Sequence, residues 1–387
     1  MLPRPAPPRK PGTARMFPHP APACAMTALA YKPNADDVLA RLALLYERRA
    51  QDRIFAAFEI PTAALARFGE RYTHGFCEYP DPHERIRFWD DLLRERSSLE
   101  DDSIPSAYLS EFDQGLYGGL AGGEVRFLAH PDNGWISSMV PPLLKDWAEF
   151  PSLAFDESNP WFARYLRQLA VFREGAAGKF GISHFILIDS LNFVFELIGA
   201  TRTYTSLLEQ PDLVRDAVDF AFHLNLKVQN TFFDNAPSFR GGTFSNMTQW
   251  IPGRIVSESV DPFHMTSVRY FEQWGRAPVE RILGHFDGGV LHLHGNGRHL
   301  LEAACSIAGL KALYLGDDKG YPLAIDVLPA LRARAGDLPL VVQVPYPAFI
   351  ERLTRHELPG GTLYMVRGAP DADSANRWME AVRAYRL

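Results

Sequence analysis

The sequence predicts an α/β protein built as a (β/α)8 barrel, preceded by an irregular helical N-terminal region. Three observations carry that expectation. From about residue 180, short apolar runs of strand length alternate with amphipathic stretches of helix length. Most of these runs are apolar throughout, as in parallel strands covered on both faces. No GxGxxG follows the first strands, so the nucleotide signature of the competing fold, an open doubly wound sheet, is absent.

The elements follow in order. Residues 1 to 27, "MLPRPAPPRKPGTARMFPHPAPACAMT", are rich in Pro and Ala and lack the continuous apolar stretch of a signal peptide. Such a segment buries too little surface to offset its ordering entropy, so it is read as a disordered tail, with Met26 as an alternative start of translation. One domain then spans residues 28 to 387. "NADDVLARLALLYERRAQDRIF" opens with an Asn or Asp cap and places Val38, Leu39, Leu42, Leu45 and Tyr46 at helical spacing. Residues 60 to 180 mix short amphipathic pieces with Gly, Pro and aromatic loops and yield no element order. "ISHFILI" then reads as a buried strand ending at Asp189, with helices in "LNFVFELIG" and, after Pro211, "DLVRDAVDFAFHLNLKVQNTF". "GGTFS" and "RIVSESV" read as strands. From there strand and helix alternate: "GGVLHLH", "RHLLEAACSIAG", "LKALYLG", "LAIDVLPALRARAG", "LVVQV", "PAFIERLTRHEL", "TLYMVR" and "ADSANRWMEAVRAY".

Composition removes several classes of function. A net charge of −6 with interspersed signs leaves no positive field for a nucleic-acid backbone. No run of ~18 apolar residues exists to span a membrane. Cys24, Cys77 and Cys305 are too widely spaced for a disulfide framework or a CxxC knuckle, which suits a reducing cytoplasm.

The chemistry concentrates in "HLHGNGRH", residues 292 to 299. On a strand, His292 and His294 point with Val290 to one face while Leu291 and Leu293 point to the other. In a barrel the leucines face the helices and the histidines face the interior, at the rim where active sites form. Gly295 permits a sharp turn, and a helix starting near Arg298 offers free N–H groups to an anion. The alternative is a hydrogen-bonded core histidine followed by a polar loop. Other strand ends supply further candidates. Asp189 reads as an acid/base or as a helix N-cap, with Asn192 close behind it. Of Asp317 and Asp318, one contacts substrate or metal while the other caps a helix. Asn246, Asn296, Arg298 and Arg367 are candidate substrate-binding groups; "SNMTQW", which holds Asn246, ends one further strand and Glu258 with Asp261 ends another.

"LHLHGNGRHLLEAACSIAGLKALYLGDD", preceded by "SVDPFHMTSVRYFEQWGRAPVERILGHFDGGV", resembles the C-terminal half of the uroporphyrinogen decarboxylase superfamily. "ELIGATRTYTSLLEQPDLVRDAVDFA" is similar to another segment of that family, and the likeness covers residues 180 to 320 best. The resemblance implies a (β/α)8 barrel. The superfamily includes cobalamin-dependent methyltransferases, which move a methyl group from a corrinoid protein to a thiol. The arginine-bearing "RQAGR" motif of the true decarboxylases is missing, and "VQVPYP" stands about where they carry "GNLDP". The methyltransferases hold zinc through H-x-C and a distant Cys; His292 matches the first ligand, His294 takes the Cys position, and no Cys follows Cys305. Two histidines and a carboxylate remain a reasonable zinc set, with Asp317 on the neighbouring strand as the expected third ligand. The implied function is methyl transfer from a methyl-corrinoid to a small acceptor, with His292 and His294 activating it and Asp189 and Asp317 positioning it or moving protons. The alternatives are a decarboxylase of a tetrapyrrole-like substrate, using Arg298 and Arg367 for carboxylates, and a non-catalytic barrel that binds a corrinoid or tetrapyrrole.

Overall fold

The apolar runs of the second half pair side by side as a parallel sheet in the computed structural model, which describes Met26 and residues 28–387. Apart from Met26, whose N–H donates to Ser238 O at 3.0 Å, the N-terminal tail lies outside the described residues. In chain order the strands are β1 (Ile54–Phe58), β2 (Gly75–Cys77), β3 (Ser106–Tyr108), β4 (Arg126–His130), β5 (Trp135–Met139) and β6 (Gly181–His184). They continue as β7 (Gly242–Ser245), β8 (Gln249–Pro252), β9 (Val256–Ser259), β10 (Gly289–Leu293), β11 (Leu310–Leu315), β12 (Leu340–Pro345) and β13 (Thr362–Arg367). Six of them form one all-parallel sheet in the order β1-β13-β12-β11-β10-β9. A second sheet, β3-β6-β7-β8, is parallel except for its β7–β8 hairpin, and β2-β4-β5 make a small antiparallel sheet. Among the described residues no helix is long and apolar enough to cross a membrane.

The two larger sheets enclose one interior. Phe55, Val290, Ala312, Val341 and Leu363 from the first meet Phe244 and Trp250 from the second, and Val38, Leu42 and Leu45 of the helix Ala35–Tyr46 pack into the same cluster. Leu291 and Leu293 belong instead to the larger apolar cluster, so β10 alternates faces as its sequence requires.

Among the described residues the strands form no continuous eight-stranded ladder; they fall into two sheets facing a common core. Side chains occupy both gaps. At one, β6 stops at His184 and the run Phe185–Ile188 leaves the ladder. Leu187 N–H still reaches Ser257 O at 2.8 Å, while the buried Asn225 amide accepts from Ile188 N (3.0 Å) and donates to Ile188 O (2.8 Å). At the other, the Asp101 and Asp102 carboxylates accept the Phe58 and Ala56 N–H groups at 2.6 and 3.0 Å. Lys32 and Arg41 balance those charges at 3.0 and 2.7 Å. The edge of β1 is thus satisfied by carboxylates where a strand would otherwise pair.

Two further expectations change. The first helix ends at Tyr46, with Arg48 at φ 59°, and the following apolar run "IFAAF" is β1 rather than more helix. After β10 the chain makes a 3-10 turn, Gly295–Leu300, before a short helix at Leu301–Cys305, so Arg298 lies within the turn rather than starting a helix.

Candidate metal centre at the ends of β9 and β10

His292 lies opposite Ser259 in the parallel β9–β10 pair. Two residues past Ser259 the chain enters the turn Asp261–Met265, which brings the Asp261 carboxylate over the end of β10. His292 Nε2 is 3.1 Å from Asp261 Oδ1, and His294 Nε2 is 3.9 Å from Oδ2. The rings of His292 and His294 are 5.0 Å apart. His264, from the same turn, places Nδ1 3.5 Å from Asp261 Oδ1. On the outer side, His294 Nδ1 meets Asp318 Oδ1 at 2.9 Å, and Asp318 Oδ2 accepts the Asn296 N–H at 3.2 Å.

The electrostatics follow from this crowding. Burial would raise the Asp261 carboxyl, but His292, His264 and His294 override it and hold it well below the usual range. Burial would likewise lower His292, and the Asp261 carboxylate, with Asp113 behind it, raises it instead. His264 is pushed down to about 4, first by burial, against the pull of Asp261. Asp318 is lowered: burial opposes, and the Asn296 N–H and His294 prevail. Near neutral pH the centre therefore holds an anionic Asp261 and a neutral His264.

Behind β9, on the face that carries Leu291 rather than His292 on β10, lies more acid. Asp189 and Glu258 are both buried, and neither Asp189 Oδ1 nor either Glu258 carboxyl oxygen has a hydrogen-bond partner among the described residues. Burial pushes Asp189 up to about 6, and burial with Asp189 alongside raises Glu258 well above the carboxylate range. Asp113 is also pushed up to about 6 by burial, with the Tyr108 hydroxyl opposing. Ser190, beside Asp189, has φ 50°, and Gln114, beside Asp113, has φ 69°. Both are non-glycine residues held in the left-handed region, the kind of strain that collects at functional sites.

The expected site residues separate on this map. His292 and His294 come together, and the carboxylate that joins them is Asp261, not Asp317. Asp317 accepts from Arg298 Nη2 (3.1 Å) and from Ala324 N (2.6 Å), capping the turn after β11, so Asp317 as third ligand is corrected. The two aspartates do divide roles, with Asp318 facing the histidine. Arg298 is spent on Asp317 and on the carbonyls of Gly316 and Pro322. Asn192 donates to Ser259 O at 2.7 Å and fixes the end of β9. Asn296 Oδ1 is buried without a partner. Asn246 and Arg367 line a cavity on the β1 side, together with Tyr108. Cys305 sits half-buried on the outer helix, its thiol raised to about 11 by burial. His264, Asp113 and Tyr108 escaped sequence reasoning. His264 had a signal, standing three residues after Asp261 in one turn, whereas Asp113 and Tyr108 lie in the stretch without readable periodicity.

Asp261, His292 and His294 each offer a donor atom, all within 4.8 Å of one another. Bonds of about 2.0–2.2 Å to nitrogen and oxygen put neighbouring donors of a tetrahedral ion roughly 3.3 Å apart, a contraction that side-chain rotations supply. The His294–Asp318 bond fixes Nδ1 as the protonated nitrogen and leaves the Nε2 lone pair facing Asp261, the carboxylate–histidine arrangement found behind metal ligands. The residues fit a divalent ion.

Comparison with known proteins places the fold. The structure is similar to that of a methyltransferase from Methanosarcina mazei, with a TM-score of 0.58 at 14% identity, covering 89% of this chain and 98% of that one. No family model matches the sequence, and no curated protein does.

Proposed function

We propose that this chain is a methyltransferase-like enzyme of the uroporphyrinogen decarboxylase superfamily fold. In this reading its two sheets act as a (β/α)8 barrel, and it moves a methyl group from a corrinoid donor to a small acceptor. The observation that carries the reading is the Asp261–His292–His294 cluster at the C-terminal ends of adjacent parallel strands, on a fold shared with a methyltransferase. A divalent ion, most readily zinc, would be held by these three side chains and would supply Lewis acidity that lowers the pKa of an acceptor such as a thiol. The chain's own residues do the rest. Asp318 holds His294 in one tautomer, His264 backs Asp261, and the Asp189–Glu258 pair stores a proton behind β9. The decarboxylase alternative loses one of its two arginines, because Arg298 is bound to Asp317 and two carbonyls.

The test is to measure metal content of the purified protein and then follow methylcobalamin demethylation by a panel of thiols. Near-stoichiometric zinc and thiol-dependent demethylation support the reading. A protein that neither binds added zinc nor turns over methylcobalamin overturns it.

A further inference from the structure

Four strands along the sheet from β10, a cavity of about 490 Å³ opens between the ends of β1 and β13 on one sheet and β3 on the other. Its size lies within the usual range for small-molecule sites, roughly 300–1,000 Å³. We infer that this cavity binds a small organic anion, a carboxylate on an apolar body.

The argument is one of unmatched charge. Of the cations that line the cavity, Lys32 is spent: Nζ lies 3.0 Å from Asp101 Oδ1 and donates to two carbonyls. Arg367 Nε is 3.7 Å from Glu59 Oε2. Arg96 is different. It is half-buried, has no carboxylate within 4.0 Å among the described residues, and makes one side-chain hydrogen bond, from Nη2 to Phe58 O at 2.9 Å. The other acid on the lining, Asp132, sits exposed and pairs outward with His74 at 3.1 Å. A guanidinium in a concave, partly dry wall with donors to spare is a carboxylate or phosphate site awaiting its anion. The lining also carries apolar side chains, among them Trp89, Trp135, Leu65 and Met365, which give the cavity an apolar wall. A phosphate would leave that wall uncovered, whereas a carboxylate carrying an aromatic or aliphatic body covers both. Tyr108 lines the cavity too, with Asp113 beside it, and the Asp113 charge in turn acts on His292. An anion bound here would lie on the far side of that Tyr108–Asp113 pair from the histidines. The inference goes beyond the methyl-transfer reading and holds whether or not that reading does.

The probes are phenylacetate, 2-phenylethanol and 2-phenylethylamine, titrated calorimetrically into the full chain with chelator present, so that carboxylate binding to a metal at His292 does not contribute. Phenylacetate is expected to bind at least about tenfold more tightly than the alcohol and to exclude the amine. Arg96→Gln should remove that preference and Arg96→Lys should keep part of it. If Arg96→Gln does not fold, Arg367→Gln and the salt dependence of phenylacetate binding to the unaltered protein give the same answer, since an ion-paired ligand weakens with ionic strength. The inference is overturned if phenylacetate does not bind at about 10 mM. It is equally overturned if the alcohol binds as well as the acid, or if affinity is indifferent to both arginines and to salt.

Discussion

The ring of His264 lies against the bare α-carbon of Gly297: a Cβ there would stand 2.2 Å from His264 Cδ2 and 2.5 Å from Nε2. The second glycine of "HGNG" therefore serves the neighbouring turn, letting His264 lean in and put its other nitrogen on Asp261. Gly297→Ala should displace the imidazole and release the carboxylate it backs. The backbone at Gly297 does not require a positive φ, so the substitution acts through this contact alone. A loss of about 1–3 kcal/mol of stability, as for other overpacked sites, should accompany weaker zinc binding. The double variant Gly297→Ala, His264→Ala should recover much of the stability but not the zinc affinity. Recovery of neither would show that the alanine clashes with something else.

Asp261 and Asp317 make opposite predictions. Asp261→Asn should abolish zinc uptake in a titration of the purified protein and leave the fold intact, because among the described residues the Asp261 carboxylate pairs only with the histidines. Asp317→Asn should spare zinc uptake and lower the melting temperature, because it loosens Arg298 and the turn at Ala324. The reverse pattern would restore Asp317 as the ligand.

What the sequence makes legible here depends on period. The strands β10 to β13 are largely apolar runs bounded by glycines and helices, and they stand where the runs place them. The inward direction of His292 follows from the two-residue alternation of β10. Three-dimensional proximity has no such signature. Asp261 and Asp317 both end a strand next to β10, one on each side of it, and only the turn Asp261–Met265 folds back over the histidines. The gaps between the sheets were equally hidden, since Asn225 and Asp101 satisfy backbone groups far from them in sequence. β1 was lost for a simpler reason: "IFAAF" follows a strong helical pattern with only seven residues, 47–53, between, and periodicity carried the helix too far.

Asp318 should behave as a support for His294 rather than as a ligand. Its carboxylate is partly exposed and bridges His294 Nδ1 and the Asn296 N–H. Asp318→Asn should reduce zinc affinity by about 10–100-fold, the usual effect of removing a hydrogen-bond partner behind a metal-binding histidine, with little change in melting temperature. Unchanged affinity would mean that His294 needs no such partner.

The buried Asp189–Glu258 pair should make stability fall as pH rises. Both carboxyls have folded-state values above their ordinary ones, Asp189 at about 6 against 3.8. Between those values the folded chain binds more protons than the unfolded chain, so the slope of stability against pH is negative across that window. Above it Asp189 must be charged in a dry site beside Glu258, at a cost on the order of 1–3 kcal/mol. Asp189→Asn replaces the carboxyl that must ionise in this dry site with a neutral amide. The variant should therefore melt several degrees higher than the parent at pH 8, and the gap should close on going to pH 4.5, where the parent's pair is protonated. Chelator in every sample keeps metal from contributing. Melting curves at five pH values decide it: parallel pH profiles for parent and variant would mean that the pair is not the source of the slope.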